Sequence, residues 1–169
     1  MARASESWSI DLQKEYFKFS AAHFLIFPDG SAERLHGHNY RVRVRLGAEL
    51  SPFGLVLDFK AVKPVVREIC DRLDEHWLVP GEHAELRADR RADGTTEVRY
   101  RDRVYTAPSE DVLVLPINNT SSENLAAWFG RELAAELGRR FPEVPVTRLS
   151  VGVEETTGQQ GVWSRGFEG

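Results

Sequence analysis

Cysteine is nearly missing from this chain: Cys70 is the only one in 169 residues. One thiol cannot close an intrachain disulfide, so packing has to hold the fold, and a reducing compartment is the default. Long apolar runs are missing too. No segment approaches the roughly 20 apolar residues of a membrane span. The run Met1 to Ile10 is polar, carries Glu6 and lacks the apolar centre of a signal peptide. The protein therefore reads as cytoplasmic, with no membrane partner. Positive charge is not in excess, since 22 Lys and Arg face 26 Asp and Glu for a net charge of -4. Nucleic-acid binders use a basic field, so none is expected as partner, while local arginines could still hold a phosphorylated small molecule. Repeats and low-complexity tracts are also lacking. What is present suits a single domain spanning residues 1–169, with 41% hydrophobic residues to build a core.

Periodicity divides the chain. Glu15 to Ala22 alternates, with Tyr16 on one side and Phe17 and Phe19 on the other, which suggests a strand covered on both faces. His38 to Leu46 puts Tyr40, Val42, Val44 and Leu46 on one face and Arg41, Arg43 and Arg45 on the other, a half-exposed strand. Asp58 opens a helical stretch whose stripe is Val62, Val65, Val66, Ile69, Cys70 and Leu73. Pro64 is tolerated only near a helix start, so the regular helix is expected to begin there. From about 80 to 109 the pattern is lost, and TTEVRY and RVYTAP around Arg101 and Asp102 read as a hairpin inserted into the domain. Asp111 to Leu115 is a short apolar run. Thr120 to Glu123 has the T-x-x-E form of a capping box, and the helix after it carries Leu125, Phe129, Leu133 and Leu137, with Gly138 as its stop. Val146 to Val153 and Gly161 to Phe167 read as closing strands. The order is that of an α+β domain with an antiparallel sheet.

Histidine carries the chemistry. His36, Gly37 and His38 stand just before a strand, where period-2 geometry puts both imidazoles on one side about 6–7 Å apart at Cα. Gly37 between them has no side chain to crowd an ion. His23 ends the preceding strand, continues the parity of Phe17, Phe19 and Ala21, and should pair with the start of the next strand. An H-x-H pair alone also marks polar strand ends. Three histidines with a fourth position open make the pattern of a catalytic zinc site.

Six ordered segments then resemble one family. FSAAHFL (Phe19 to Leu25) and LHGHNYRVRV (Leu35 to Val44) look like the two zinc-ligand segments of the 6-pyruvoyl- and 6-carboxy-tetrahydropterin synthases. GLVLDF (Gly54 to Phe59), LDEHWL (Leu73 to Leu78), NTSSENLA (Asn119 to Ala126) and VGVEET (Val151 to Thr156) resemble the later motifs of that family. The resemblance implies the tunnelling fold, or T-fold: a four-stranded antiparallel sheet with two helices on one face, subunits closed into an oligomeric barrel, commonly a homohexamer, and active sites between subunits. It implies that His23, His36 and His38 bind zinc (Zn2+). It places Glu155 on the ring of a dihydropterin substrate, with Thr120 also at the substrate. A carboxylate can accept from the 2-amino and N3 hydrogens of a pterin side by side. Glu154 is the competing choice and should point to the opposite face.

Two departures from the family bear on the reaction. Family enzymes carry a basic cysteine four or six residues before the first histidine of the H-G-H; here Ala32 and Gly30 stand at those positions. The family's Asp-His pair is also altered, because Glu75 separates Asp74 from His76. Cys70 lies on an apolar helical stripe and reads as core. Three accounts stay open. Glu33 can be the base, as in a related subgroup that uses a glutamate in this loop and releases 6-hydroxymethyl-dihydropterin by retro-aldol cleavage. Asp74 and His76 can still form a proton relay. Or the chain is a non-catalytic pterin- or purine-binding T-fold protein. The expected activity is that of a zinc-dependent lyase on the side chain of 7,8-dihydroneopterin or its triphosphate, with Glu33, Asp74 and His76 as acid–base residues.

Overall fold

The computed structural model describes residues 6–167; the first half of the polar leading run, 1–5, lies outside them. Its elements are β1 (Trp8–Leu12), β2 (Lys18–His23), β3 (His36–Ala48), α1 (Phe59–Leu73), β4 (His76–Pro80), β5 (Leu86–Arg90), β6 (Thr95–Tyr100), β7 (Arg103–Pro108), β8 (Val112–Leu115), α2 (Ser122–Arg140), β9 (Val146–Thr156) and β10 (Gln159–Gly166). Neither helix is long and apolar enough to cross a membrane.

Alternation builds the main sheet. Phe17, Phe19 and Ala21 from the β2 region, Tyr40, Val42, Val44 and Leu46 from β3, and Leu149, Val151 and Val153 from β9 are all buried on one face. That face receives the α1 stripe and Leu125, Phe129, Leu133 and Leu137 of α2. Each fully buried Leu or Phe contributes about 1.5–3 kcal/mol relative to an exposed one, so this layer drives folding. Phe19 and Tyr40, directly opposed in the β2–β3 register, stack with centroids 4.7 Å apart.

The four expected antiparallel strands are β2, β3, β9 and β10, neighbours in the order β10-β9-β3-β2. The sheet continues beyond them, with β1 on the far half of β3 and two parallel strands, β4 beside β2 and β8 beside β4. Sheet and paired helices make the α+β tunnelling fold that the sequence motifs imply. The runs read as a hairpin are β6 and β7, and β5 joins them in a separate three-stranded sheet. A second apolar cluster ties this small sheet to β4 and the β2–β3 loop, through Phe24, Ile26, Trp77, Val79, Leu86, Val98 and Tyr100.

Four local expectations are corrected. The strand at 15–22 is covered on one face only, since Tyr16, Lys18 and Ser20 are exposed. The helix does not wait for Pro64: Asp58 accepts from the Lys60 amide as N-cap, and α1 runs from Phe59 with Pro64 inside it. Lys60, whose carbonyl loses a partner to the proline, is exposed and can be hydrated. α2 is capped by Ser121, whose hydroxyl accepts from the Asn124 amide, because the Thr120 hydroxyl is used elsewhere. Gly138 does not stop α2, which continues to Arg140, where the guanidinium pairs with Glu136 and Glu68.

Gly161 of β10 lies under the first turn of α2. A Cβ there would meet the Glu123 amide nitrogen at 2.3 Å and the Ser122 carbonyl carbon at 2.4 Å. Backbone cannot yield as a side-chain tip can, so Gly161→Ala is expected to lower unfolding free energy by at least about 1–3 kcal/mol. Urea denaturation checks this; unchanged stability would contradict the close packing of α2 on β10.

Candidate metal centre

The β2–β3 register places the three histidines. His23, last in β2, is directly opposite His36, first in β3, and His38 is two residues further along the same face. One ring nitrogen from each lies within 4.8 Å of the others. His36 and His38 meet through their Nε2 atoms at 2.9 Å.

The opposite edges of two rings are already committed. His23 Nδ1–H donates to the Thr120 carbonyl at 3.1 Å, and His36 Nδ1–H donates to the Arg34 carbonyl at 2.7 Å. Each bond selects the tautomer with a lone pair on Nε2, the usual way a second layer of contacts prepares a metal-ligating imidazole. His23 is fully buried, and its Nε2 has no hydrogen-bond partner among the described residues. Such an orphaned buried acceptor costs about 1–3 kcal/mol unless something completes it. Burial lowers the His23 pKa, opposed by the nearby Glu155 carboxylate, so the neutral ring is favoured. Three ring nitrogens converging at the end of the sheet fit a divalent metal. Tyr40 closes the floor, its phenol held protonated chiefly by desolvation and further by Glu155 and Glu33.

The carboxylates around this point divide by direction. Glu155 faces it, with Oε1 3.2 Å from His38 Nε2 and Oε2 accepting from the Ser122 hydroxyl at 3.0 Å. Glu154 points the other way, accepting from the Gly158 amide at 2.7 Å and lying 3.5 Å from Arg43. Glu33 also reaches the centre: its Oε2 accepts from the Leu25 amide at 3.1 Å and lies 3.9 Å from His36 Nε2.

Other sequence candidates are less directly engaged. Thr120 is fully buried behind His23, and its hydroxyl donates to the Phe24 carbonyl at 3.0 Å. Asp74 caps α1 and spends Oδ1 on the Ser20 amide at 2.6 Å. His76 Nδ1–H donates to the Asp74 carbonyl at 2.7 Å, so the two are joined through backbone, with Glu75 between them at φ 59°. The His76 residue does line a groove of about 550 Å³ with Gly37, His38, Asn39 and Trp77. Cys70 is buried in the helix stripe and desolvation pushes its thiol up to about 12, which makes it inert.

Sequence reading missed the supports of the 24–35 loop. Asn119 pairs with Ile26 as a strand would, accepting from its amide and donating to its carbonyl at 2.8 Å. From the small sheet, the Tyr100 hydroxyl and Arg101 Nη1 donate to the Gly30 carbonyl, each at 2.9 Å, while Arg103 donates to the carbonyls of Ala32 and Glu33. Gly30 has φ +80°, and a Cβ on it would fall 2.2 Å from the Arg101 guanidinium nitrogens. Asn119 belongs to one of the quoted motifs; the arginines carry no local signal.

A one-sided sheet roofed by two helices, with a histidine triad at the strand ends, defines a tunnelling-fold protein with a capacity for metal. The match to the 6-pyruvoyl tetrahydropterin synthase family model covers residues 11–164, and the chain belongs to that family. A Methanocaldococcus jannaschii protein provisionally named 6-carboxy-5,6,7,8-tetrahydropterin synthase is 35% identical over 152 residues, 89% of this chain and 91% of that one. The crystal structure of Plasmodium vivax 6-pyruvoyl tetrahydropterin synthase superposes with a TM-score of 0.89 at 28% identity, covering 96% of this chain and 100% of that one. Two variants of the Plasmodium vivax enzyme, with a catalytic glutamate replaced by alanine or by cysteine, superpose equally well. The chain is thus a member of an enzyme family of pterin metabolism.

Because the Thr120 hydroxyl satisfies a buried carbonyl beside His23, Thr120→Val should cost about 1–3 kcal/mol of stability. Thermal or urea unfolding checks it, and a neutral effect would mean that the Phe24 carbonyl finds another donor.

Proposed function

We propose that this chain is a cytoplasmic zinc-dependent lyase, one domain interrupted by the small sheet, that cleaves the side chain of 7,8-dihydroneopterin or its triphosphate to release 6-hydroxymethyl-dihydropterin. The observation that carries this reading is the Glu33 carboxylate, steadied by the Leu25 amide and 3.9 Å from His36 Nε2, in a loop that has no thiol. The catalytic glutamate of the Plasmodium vivax enzyme supports it.

His23, His36 and His38 would hold the metal, and zinc there supplies Lewis-acid polarisation of the vicinal side-chain hydroxyls. Glu33 accepts the proton of the 2′-hydroxyl. The electrons of that O–H bond form the carbonyl of the departing two-carbon fragment as the C1′–C2′ bond breaks. The pair from that bond passes into the conjugated pterin ring, and C1′ then takes up a proton, which the protonated Glu33 can return. This step needs a carboxylate base and has no need of a thiol. Glu155 fixes the ring by accepting from its 2-amino and N3 hydrogens. Its Oε1 lies 3.2 Å from His38 Nε2, which keeps this carboxylate at the edge of the histidine cluster. Asp74 spends a carboxylate oxygen on the Ser20 amide, which disfavours it as the relay to His76.

Protein purified without chelator is expected to hold about one zinc per chain, and His36→Ala to lose it. Incubation with dihydroneopterin and with its triphosphate, followed by mass spectrometry, should give 6-hydroxymethyl-dihydropterin. Glu33→Gln should lower that rate by roughly 10²–10⁴-fold with metal content unchanged. A metal-free native protein would end the zinc reading. Pterin binding without turnover would replace the enzyme by a binding protein.

Assembly follows from the open edges of the main sheet. Among the described residues β8 and β10 are paired on one side only, and Val162 of β10 is exposed. Unpaired strand edges of this kind are association sites. A closed homo-oligomer, a hexamer in the first instance, is expected by light scattering at micromolar concentration; a monomer would contradict the barrel.

A further inference from the structure

We infer that Arg103 is a positioning residue for Glu33, which makes the small β5–β6–β7 sheet part of the reaction machinery. The inference rests on the reading of Glu33 as the base. The loop between β2 and β3 is internally tied, with Phe27 N–H donating to the Ser31 carbonyl at 2.8 Å and Glu33 N–H to the Leu25 carbonyl at 3.0 Å. Its outward carbonyls at 30, 32 and 33 have no partner within the loop. Arg103 donates through Nη2 to the Ala32 carbonyl at 2.9 Å and through Nη1 to the Glu33 carbonyl at 2.5 Å.

Those two carbonyls belong to the peptide planes on either side of the Glu33 Cα. A planar fork that holds both planes sets φ and ψ of Glu33, and with them the direction of its Cα–Cβ bond. The carboxylate at the end of that bond lies 3.9 Å from His36 Nε2 and takes the Leu25 amide. A lysine ammonium is a point donor on a flexible stem and cannot hold two planes in this way. Arg103 is itself steadied, being half-buried in β7 and paired across the hairpin with Tyr100, whose hydroxyl holds the same loop at Gly30. Arg101 next to it is anchored by Glu85 at 2.9 Å. The small sheet thus reaches the base-bearing loop with the polar side chains of Tyr100, Arg101 and Arg103, and of these Arg103 alone acts on the peptide planes of the base.

The test uses the full chain with Arg103→Met and Arg103→Lys, each alone and combined with Glu33→Gln. Amide hydrogen exchange at Leu25 reports the carboxylate's position without any turnover. Arg103→Met should speed exchange at Leu25 by roughly tenfold, the scale of one lost hydrogen bond to a charged group. It should lower kcat by roughly 10–100-fold, the cost of a base displaced by about 1 Å, with KM little changed. Arg103→Lys should not restore either property, and it keeps the test open if the methionine variant fails to fold. On the Glu33→Gln background, loss of Arg103 should lower kcat no further, because the group it aims is gone. Retained Leu25 protection together with retained kcat would overturn the inference. So would losses that add fully to Glu33→Gln and run parallel to faster exchange across all of β5–β7, the mark of a mere staple. If the unmutated protein turns over no pterin, the proposed reaction fails, and Leu25 exchange alone still decides whether Arg103 positions Glu33.

Discussion

The hydrogen bond from His23 Nδ1 to the Thr120 carbonyl is the contact on which the site depends. It crosses 97 residues, from the end of β2 to the residue before the cap of α2. A fully buried imidazole needs such a partner to offset desolvation. Meeting that need forces the helix start onto the sheet end. Ser121 then caps the helix, Ser122 reaches Glu155, and Thr120 returns its own hydroxyl to Phe24. One polar demand thereby gathers the Glu155 carboxylate, the helix start and the three histidines into one volume. The aromatic stack of Phe19 on Tyr40 lies below and keeps the β2–β3 register from slipping. A one-residue slip would turn His23 away from the other two.

Much of this was legible because it is local. Period-2 alternation in β3 separated its buried valines from its arginines, and the same parity put His36 with His38. The α1 stripe was read residue for residue. Glu154 and Glu155 were assigned opposite faces from strand geometry alone, and each face carries the partners observed. The errors have a common cause. Thr120 matched the capping pattern, yet a carbonyl 96 residues away held its hydroxyl, and the cap moved one residue on. The Asp74 carboxylate is likewise engaged from afar, by the Ser20 amide 54 residues away. β4 shows no alternation to mark it, because it is buried on both faces from Trp77 on, and β8 is a short apolar run at the sheet edge with Val114 exposed. Long-range polar competition leaves no trace in a local window.

The small sheet is the extreme case. In sequence it is a polar stretch and two alternating runs, with nothing to say what they touch. In space it covers Phe24, Ile26 and Trp77 and meets the 24–35 loop with a tyrosine and two arginines. The loop has little regular structure of its own beyond a bridge between Ile26 and Ala32. Twelve residues without a strand or helix need outside donors for their carbonyls, and the hairpin provides them. Asn119 provides the remaining pair from the other side. The loop is therefore held between two distant segments.

Gly30 has a further consequence for the loop. It and Ala32 are the two positions at which the family resemblance leads one to expect a cysteine. The two are not equally open to substitution. At Ala32 a thiol would replace a methyl group on a half-buried residue of ordinary backbone. At Gly30 any side chain would require a left-handed conformation and the space now filled by the Arg101 guanidinium. A lineage starting from this chain could gain a thiol by a single residue replacement at the first position. At the second it would first have to give up the arginine and its bond to Glu85. The grip of the hairpin thus leaves room for a thiol at one position of the loop and shuts it out at the other.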